Sequence, residues 1–570
     1  MPDWESRSKS AHGFYYPTGV PFHPSHHYFP VFHLKEYILG GVGGALGEPE
    51  GALILQALHR ATGEVASQKN WLNSTISFPY SWFICIFAKT NRMLMKYLFT
   101  LLFMLAAATS LHATDYYVSP QGSDTNAGTI DAPFATLKQA ISKAKAGTTI
   151  YLREGTYQPT EAEIMGYQES NLYACVYNLT ASGTAQNPIT ITGYEDEKAV
   201  IDLSLVKPAD KRVSGFYVKG NYWRLRKFDI IGIQVTITGH TQSENISMRG
   251  GSNCIIEQVN IHDGMGIGIY FTRGSNNLVL NCDAYNNYDP VSENGAGGNC
   301  DGFGFHLNSK AHANNVIRGC RAWRNSDDGY DLITNYAAVV IDSCWAWENG
   351  YDANMVSRGD GTGIKGGGYG MGTITKTIEA PRNVIKNCIA WKNKQNGIYA
   401  NHHLGGNDWY NNSAYANKRN YNMVNRKSES EAVDVDGYEH VLKNNLSYGG
   451  TMANYVNISE TLCTLENNTF LPTMTLSASD FESLDGTQLK RDRQADGSLP
   501  EITFLRLKST SKAYTLNIGY QFDYESVPSG IKTIRVADNA DAYYTLDGIR
   551  VEKPTAKGIY IRGGKKFVVK

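Results

Sequence analysis

The chain has 570 residues and a formal net charge of −1, so it lacks the basic excess with which a protein attracts nucleic acid or another polyanion. Its 56 glycines and 36 tyrosines favour short strands joined by many turns, and its 18 prolines are too few for a Pro-rich disordered protein. We therefore expect several folded domains or one large repeat domain, and no nucleic-acid partner.

An apolar segment begins near residue 93. From Met93 the sequence is MLMKYLFTLLFMLAAATSLHA, with Lys96 ahead of a short hydrophobic run that ends in small residues. This order is typical of a secretory signal peptide, and the run is too short for a membrane span. The sequence predicts a signal peptide over 93–113, a mis-assigned N-terminal extension over 1–92, and a mature chain from about Thr114 that is secreted to the periplasm, cell surface or medium. A cytoplasmic arm before a signal anchor is the alternative.

A short helix is predicted early in the mature chain. Apolar residues recur at helical spacing after Thr136, which can serve as the N-cap, and Gly147 ends the pattern. Such a helix covers the open end of a stack of coils, whose core would otherwise face water. The apolar residues are Leu137, Ala140, Ile141 and Ala144.

Short strands recur between Ile189 and Tyr448 and share a phrase of the form Cys/Ser-x-Ala-aromatic-x-Asn. A period in the low twenties, with three short strands per unit, predicts an all-β fold, the right-handed parallel β-helix, whose coils stack about 4.8 Å apart. Longer steps indicate inserted loops at 289–300 and 351–360. Equivalent positions lie 23, 24 and 25 residues apart in the pairs Val259 and Cys282, Cys320 and Cys344, and Cys388 and Ser413.

The repeat also places identical residues in columns. Because cysteine interchanges with Val and Ser at its position, we expect free buried thiols and no disulfides. The asparagine after each aromatic residue predicts a ladder at a turn, since Asn tolerates the left-handed conformation and can bond along the stack. The columns are Cys282, Cys320, Cys344 and Cys388, and Asn287, Asn325, Asn349 and Asn393.

The pattern weakens between Leu446 and about Tyr520, and we expect this part to cap the C-terminal end of the β-helix. From Ile531 the sequence has short strands and glycine turns. It resembles the small C-terminal module of many exported bacterial proteins, which serves sorting or attachment. The sequence therefore divides into a β-helix domain with its caps over 114–526 and a C-terminal β module over 527–570.

The stretch from Asp301 to Gly368 aligns as successive copies of the repeat. Its lines are DGFGFH, GCRAWRNSDDGYDL, SCWAWENG and DGTGIKGGG. Because successive side chains of a strand point to opposite faces, the alignment predicts an inward apolar column and, one residue on, an outward column. The inward column is Phe303, Tyr330, Ile364 and Ile398, and the outward column is Gly304, Asp331, Lys365 and Tyr399.

Carboxylates gather around this outward column. Asp331 and Lys365 are predicted to be neighbours on adjacent coils, with three further aspartates beside them. Such a cluster repels itself without a counter-ion, and a hard cation with about six to eight oxygen ligands relieves the repulsion, so we predict a Ca²⁺ site. The alternative is that Asp-Asp-Gly is an ordinary turn. The predicted ligands are Asp301, Asp327, Asp328, Asp331 and the carbonyl of Leu332.

Lys365 has two interpretations. As a surface partner of Asp331 it would form an ion pair worth at most about 1 kcal/mol. If a cation occupies the carboxylates, the lysine lies beside a second positive charge, its pKa falls, and the neutral amine can act as a base. The glycines around it, Gly363 and Gly366 to Gly368, leave room for a bulky polymer.

The motifs CDGFGFH, NSDDGYDL and GTGIKGGG, with the repeated phrases between them, resemble polysaccharide lyase family nine, the calcium-dependent pectate lyases with a right-handed parallel β-helix. The resemblance covers roughly Tyr116 to Tyr520. It implies that the protein cleaves a galacturonate-containing pectic polysaccharide by β-elimination, with Lys365 as the Brønsted base. It also implies that the calcium ligands are Asp301, Asp327, Asp328 and Asp331.

Some positions depart from the pectate-cleaving members of the family. Ile364 and Gly366 stand where Phe and Leu are common, and GIYANHHLGG stands where a GFDQN-like stretch is common. We expect these positions in or beside the groove, where smaller residues could admit a rhamnose, and we predict His402 and His403 as substrate-binding residues. Some members cleave rhamnogalacturonan I, which alternates galacturonate and rhamnose. Pectate and rhamnogalacturonan I therefore both stay open as substrates, for a chain expected to act as a monomer.

Two other functions stay open. A glycoside hydrolase would need an acid and a base on either side of the scissile bond, whereas these aspartates are clustered. A non-catalytic carbohydrate-binding β-helix could use calcium only to link its coils, with tryptophans as sugar platforms, but their fixed place in the repeat favours packing. Binding alone leaves Lys365 unexplained. The tryptophans are Trp323, Trp345, Trp347 and Trp391.

Overall fold

The structure is a computed structural model, and it describes four ranges of the chain together with the backbone of four later strands. The predicted extension over 1–92 and signal peptide over 93–113 lie outside the described residues. No described helix is long and apolar enough to cross a membrane. The described ranges are 115–368, 380–428, 430–471 and 474–522, and the later strands lie between 543 and 569.

The described chain begins with strand Asp115–Val118 and then a helix over Leu137–Lys143. Thr136 caps the helix, because its side-chain oxygen accepts a hydrogen bond from the Gln139 N–H at 3.2 Å. The helix buries its apolar face in the same core as the coils. The buried helix residues are Leu137, Ala140 and Ile141.

One face of the β-helix, which we name the site sheet, carries the predicted functional residues. Within the described residues it has eleven strands, and all neighbouring pairs are parallel except the first. The strands are Gly166–Gln168, Tyr173–Leu179, Arg212–Val218, Ser243–Arg249, Gly266–Arg273, Phe303–Phe305, Tyr330–Asp331, Ile364–Lys365, Asn396–Tyr399, Arg419–Asn422 and Ala453–Val456.

The other faces of the coils form one continuous sheet, which has twenty strands in the described part of the chain. Its strands are Asp115–Val118, Thr149–Leu152, Gly155–Tyr157, Ile189–Gly193, Ala199–Asp202, Trp223–Ile231, Ile255–His262, Leu278–Leu280, Asp283–Tyr285, Asn315–Arg318, Arg321–Trp323, Val339–Asp342, Trp345–Trp347, Val384–Lys386, Ile389–Trp391, Asp408–Tyr410, Ser413–Tyr415, Val441–Lys443, Leu446–Tyr448 and Thr464–Glu466.

Minor elements complete the described structure. The short 3₁₀ helices are Glu161–Glu163, Ser292–Gly295, Ala478–Asp480, Gly486–Lys490 and Tyr514–Leu516. A two-stranded antiparallel pair joins Asn425–Arg426 to Asp434–Val435. A separate antiparallel sheet near the C-terminus has the strands Tyr543–Thr545, Arg550–Val551, Gly558–Arg562 and Lys565–Val569.

The predicted register of the site sheet is confirmed residue by residue. Tyr330 pairs with Phe303 on one side and with Ile364 on the other, and Ile364 pairs in turn with Ile398. All four side chains are fully buried. One residue on, the outward column runs through Gly304, Asp331, Lys365 and Tyr399. The parallel β-helix predicted from the repeat is therefore correct, with three strands per coil.

Buried columns hold the coils together. The cysteines of the described chain are all free, and Cys282, Cys320, Cys344 and Cys388 are buried in one line, as predicted. The asparagine ladder is also present, since each amide donates to the next side chain at 2.9 to 3.2 Å. The left-handed conformation, however, belongs to the residue before each ladder position, so the prediction placed it one residue late. These residues are Asn286, Arg324, Glu348 and Lys392.

The segment after the last coils does not cap the end of the β-helix. Residues 474–522 lie along its flank, from Asn444, whose carbonyl accepts from Gly519 N–H at 2.8 Å, to Gln258, which donates to Asp496 O at 2.8 Å. This segment covers a row of tryptophans, and Trp323 and Trp347 stack on each other at 4.6 Å. The tryptophans are therefore packing residues, and the sugar-platform hypothesis fails for the buried ones, Trp345, Trp347 and Trp391.

Candidate active site

Three consecutive coils bring the predicted charged residues together at the site sheet. Asp301 lies in the turn before strand Phe303–Phe305, and Asp327 and Asp328 lie in the equivalent turn before Tyr330–Asp331. Lys365 ends the strand of the third coil, opposite Asp331. The coil-to-coil pairing that gives the fold its stability therefore also sets the spacing of this cluster.

Three of the carboxylates form a compact group. One oxygen from each of Asp301, Asp327 and Asp328 lies within 4.8 Å of the others, and all three side chains are buried. Asp328 is fully buried, although an isolated carboxylate is costly to remove from water. Such a group needs partners of opposite charge.

Each carboxylate is oriented by a backbone N–H bonded to its Oδ1 atom. Asp301 accepts from Asp328 N at 3.1 Å, and Asp331 accepts from Ile333 N at 2.8 Å. Two further bonds come from the turn that leads into the third coil, outside the predicted residues. Asp360 N donates to Asp327 at 2.9 Å, and Thr362 N donates to Asp328 at 2.6 Å. The Oδ2 atoms receive none of these four bonds, so the arrangement favours a shared ligand on that side.

Lys365 lies against this free side. Its Nζ is 3.2 Å from Asp331 Oδ2 and also forms an ion pair with Asp328 Oδ2. The interpretation as a surface ion pair is wrong, because Lys365 is only 8% exposed and both partners are buried. Burial lowers the pKa of Lys365, but the neighbouring carboxylates outweigh burial and raise it well above its ordinary value.

The carboxylates are not balanced by this lysine. Burial raises the pKa of Asp301 and Asp327 well above their ordinary values, and the other aspartates raise both further. Burial also raises the pKa of Asp328 to about 6, although Lys365 opposes this. For Asp331, burial is outweighed by Lys365 and a nearby histidine, so its pKa is lowered. Burial and mutual repulsion therefore oppose full ionisation of the cluster, and a bound cation would relieve both.

The donor set fits a hard metal ion. The side chains of Asp301, Asp327 and Asp328 offer only oxygen, and the buried Asp328 Oδ2 already faces a positive charge, the Lys365 ammonium. Oxygen-only sites suit calcium or magnesium better than zinc. Leu332 follows Asp331 directly and is buried, with its N–H bonded to Lys365 O at 3.0 Å, which fixes the backbone of the predicted carbonyl ligand.

The sequence did not single out His306, which lies beside the cluster. Its Nε2 is 3.8 Å from Asp331 Oδ2, and its Nδ1 is 2.8 Å from the hydroxyl of Tyr270. Tyr270 reaches this position because Gly304 stands between it and Asp331 in the outward column, where a Cβ would lie 2.8 Å from the tyrosine ring. The glycine at position 304 of the outward column was the feature of the sequence that could have indicated that Tyr270 and His306 reach the cluster.

The two predicted substrate-binding histidines are in different environments. His402 is part-exposed, pairs with Asp434 at 3.0 Å, and contacts the ring of Tyr399, which is the outward neighbour of Lys365. His403 is 1% exposed, and its ring accepts from Gly368 N at 3.2 Å and lies 2.7 Å from Pro381 O. His403 therefore has a structural environment, and His402 is the one beside the groove.

Two of the three departures from the family pattern, Ile364 and Gly366, lie away from the groove. Ile364 is fully buried in the inward column. Gly366 has the same inward parity, and a Cβ there would lie 2.3 Å from Trp409. Smaller side chains at these positions therefore make room for core residues and do not widen a sugar subsite.

Comparison with known proteins agrees with this architecture. A family model described as the Pel9A-like right-handed β-helix region matches residues 116–445. Pectate lyase L of Dickeya chrysanthemi is 33% identical over 405 residues, which are 70% of this chain and 84% of that protein. The solved structure of a rhamnogalacturonan lyase is 43% identical with a TM-score of 0.68, covering 71% of this chain and 99% of the other.

The crystal structure of pectate lyase Pel9A is 29% identical with a TM-score of 0.55, covering 70% of this chain and 90% of the other. Sequence match and fold therefore agree with the motifs around Asp301, Asp328 and Lys365. The chain belongs to the Pel9A-like right-handed β-helix family and is a polysaccharide lyase of family nine.

Proposed function

We propose that the protein is a secreted, calcium-dependent lyase that cleaves a galacturonate-containing pectic polysaccharide by β-elimination, with Lys365 as the base. The observation that carries this proposal is a single lysine whose Nζ faces Asp328 and Asp331 in a cluster of four buried aspartates. A carboxylate cluster suits a metal ion that binds an acidic sugar, and an amine beside it suits proton abstraction.

The proposed metal ligands are the four aspartates and the carbonyl of Leu332. A bound Ca²⁺ would supply positive charge to the C6 carboxylate of the substrate and make the C5 proton more acidic. The backbone N–H groups on the Oδ1 atoms keep the carboxylates in one orientation. The aspartates are Asp301, Asp327, Asp328 and Asp331.

Lys365 would act in its neutral form. Its Nζ takes the proton from C5, the C5–H electrons form the C4–C5 double bond, and the glycosidic C4–O bond breaks with its electron pair on the leaving oxygen. That oxygen gains a proton from solvent or from a neighbouring acid, so no water adds across the bond. The pKa of Lys365 is raised by the same carboxylates that the cation would occupy, so metal binding favours the neutral amine.

Rhamnogalacturonan I is the better supported of the two candidate polymers. The rhamnogalacturonan lyase is 43% identical to this chain, compared with 29% for pectate lyase Pel9A, and 99% of its length is covered. We propose His402 as a substrate contact, because it contacts Tyr399, the outward neighbour of Lys365. His403 is proposed to support the backbone at Gly368.

The remaining organisation is proposed on the sequence pattern. Residues 1–92 would precede a signal peptide over 93–113, the β-helix domain would occupy 114–526, and 527–570 would serve sorting or attachment. The protein is proposed to act as a monomer. A structural calcium in a non-catalytic protein would give no role to Lys365.

The test is to incubate the purified protein with polygalacturonate and with rhamnogalacturonan I, each with Ca²⁺ and with a chelator. We expect an increase in ultraviolet absorbance from the unsaturated product, only with Ca²⁺, and faster on rhamnogalacturonan I. Reducing sugars without an unsaturated product would indicate hydrolysis and contradict the proposal. Faster cleavage of polygalacturonate would overturn the choice of polymer alone.

A further inference from the structure

A surface loop leaves and rejoins the coil beside the acidic cluster. It spans 351–360, between Gly350 and Gly361, and the two glycines pack back to back, since a Cβ on Gly350 would lie 2.6 Å from Gly361 Cα. Both have positive φ, 86° and 77°, which side chains rarely tolerate. The two ends of the loop are therefore fixed next to each other, and the loop returns to the coil at a defined point.

The returning end of this loop holds two of the proposed metal ligands. Asp360 N donates to Asp327 Oδ1 at 2.9 Å, and Thr362 N donates to Asp328 Oδ1 at 2.6 Å. Gly359 lies so close that a Cβ there would be 3.0 Å from Asp327 Oδ1. A small displacement of residues 359–362 would therefore rotate both carboxylates.

Lys394, on the next coil, fastens this end of the loop. Its Nζ donates to the carbonyls of Arg358 and Gly359, the two residues directly before Asp360. Its stem fills the space over the paired glycines, since a Cβ on Gly350 or Gly361 would lie 2.7 Å from Lys394 Cβ. The Lys394 N–H also donates to Asn349 O at 3.0 Å, which anchors the lysine to the coil before the loop.

We propose that Lys394 is a positioning residue for metal binding, an inference that rests on the proposed function. Its Nζ bonds to two successive carbonyls, and these bonds fix the chain directly before Asp360. The N–H groups of Asp360 and Thr362 are thereby held in place for their hydrogen bonds to Asp327 and Asp328. Without it, the end of the loop would sample other positions and the carboxylates would lose their fixed orientation. Loss of a group that orients metal ligands typically weakens metal affinity by roughly 10- to 100-fold.

The test compares Lys394→Met with Lys392→Met in the full chain by calorimetric titration with Ca²⁺. Lys392 is the matched control, because it lies on the same coil, is exposed, and has its ammonium over the ring of Trp391. We expect Lys394→Met to weaken Ca²⁺ binding about tenfold and Lys392→Met to leave it unchanged. At saturating Ca²⁺ the kcat of Lys394→Met should return to the wild-type value.

A merely structural lysine would lower the thermal midpoint and leave the Ca²⁺ affinity intact, so equal affinities of Lys394→Met and wild type would overturn the inference. If the methionine variant does not fold, Lys394→Gln, which keeps one donor on a shorter side chain, is titrated against the same control and judged by the same comparison. Wild-type protein that binds no Ca²⁺ would refute the proposed function and this inference together, whereas a wild type that binds tightly with an unaffected variant refutes only the inference.

Discussion

Replacing Lys365 separates the proposed base from the proposed metal ligands. Lys365→Ala should lower kcat by roughly two to four orders of magnitude, the usual contribution of a general base. It should not weaken Ca²⁺ binding, because the ammonium, 3.2 Å from Asp331 Oδ2, competes with the ion for the carboxylates. At that distance two unit charges interact by roughly 5 kcal/mol at an effective dielectric of about 20. In Lys365→Ala the ion no longer has to replace this attraction, and about 1.4 kcal/mol of it would suffice to tighten Ca²⁺ binding tenfold.

Turnover is measured as the rate of unsaturated product on both polymers, and Ca²⁺ affinity by calorimetry. Lys365→Arg is the decisive companion, because a guanidinium stays protonated and cannot accept the C5 proton. Wild-type activity should rise with pH, since the carboxylates raise the pKa of Lys365 and only the neutral amine works. Substantial elimination by the arginine variant, or a loss of Ca²⁺ affinity in Lys365→Ala that matches its loss of activity, would refute the reasoning.

Three further outcomes are expected. Asp328→Asn keeps the oxygen that accepts from Thr362 N but loses the charge, so elimination should fall at least about 100-fold with an unchanged circular dichroism spectrum. A chain that starts at Thr114 should be soluble and fully active, and an insoluble product would contradict the proposed domain start. Burial lowers the pKa of His440 to about 3, so its contribution to stability is complete above about pH 6.5 and is lost as pH falls towards 3, by roughly 1.4 kcal/mol per pH unit. The thermal midpoint of His440→Gln should therefore fall less steeply with acid than that of wild type.

The register of the site sheet could be predicted because one face of each strand is buried. A shift of one residue would exchange Tyr330 with Asp331, which would place a carboxylate in the core. The repeat phrase fixes this parity in every coil, so the pairing of Asp331 with Lys365 follows from the sequence. The free cysteines and the asparagine ladder follow for the same reason, since identical residues at equivalent positions stack.

Groups that reach the site across longer distances could not be predicted in this way. His306 lies near Asp331 from the position directly after its strand, and Lys394 reaches the loop from the next coil. Neither belongs to a repeated column, so periodicity gives them no position. The sequence prediction placed residues 474–522 at the end of the β-helix and not along its flank. Their apolar residues could cover either the end of the β-helix or the tryptophan row, and composition does not distinguish the two.

The direction in which each side chain faces also decides which residues can determine the preferred polymer. Ile364 and Gly366 face the core, so the family departures at these positions cannot select a sugar by contact. Among the residues that the structure describes, side chains of the outward column and those beside it are placed to touch a polymer that reaches Lys365. On one side these are Tyr270 and His306, and on the other Tyr399 and His402. In the proposed function the buried aspartates hold the metal and orient the base, so we expect polymer preference to reside in such flanking groups and not in the cluster.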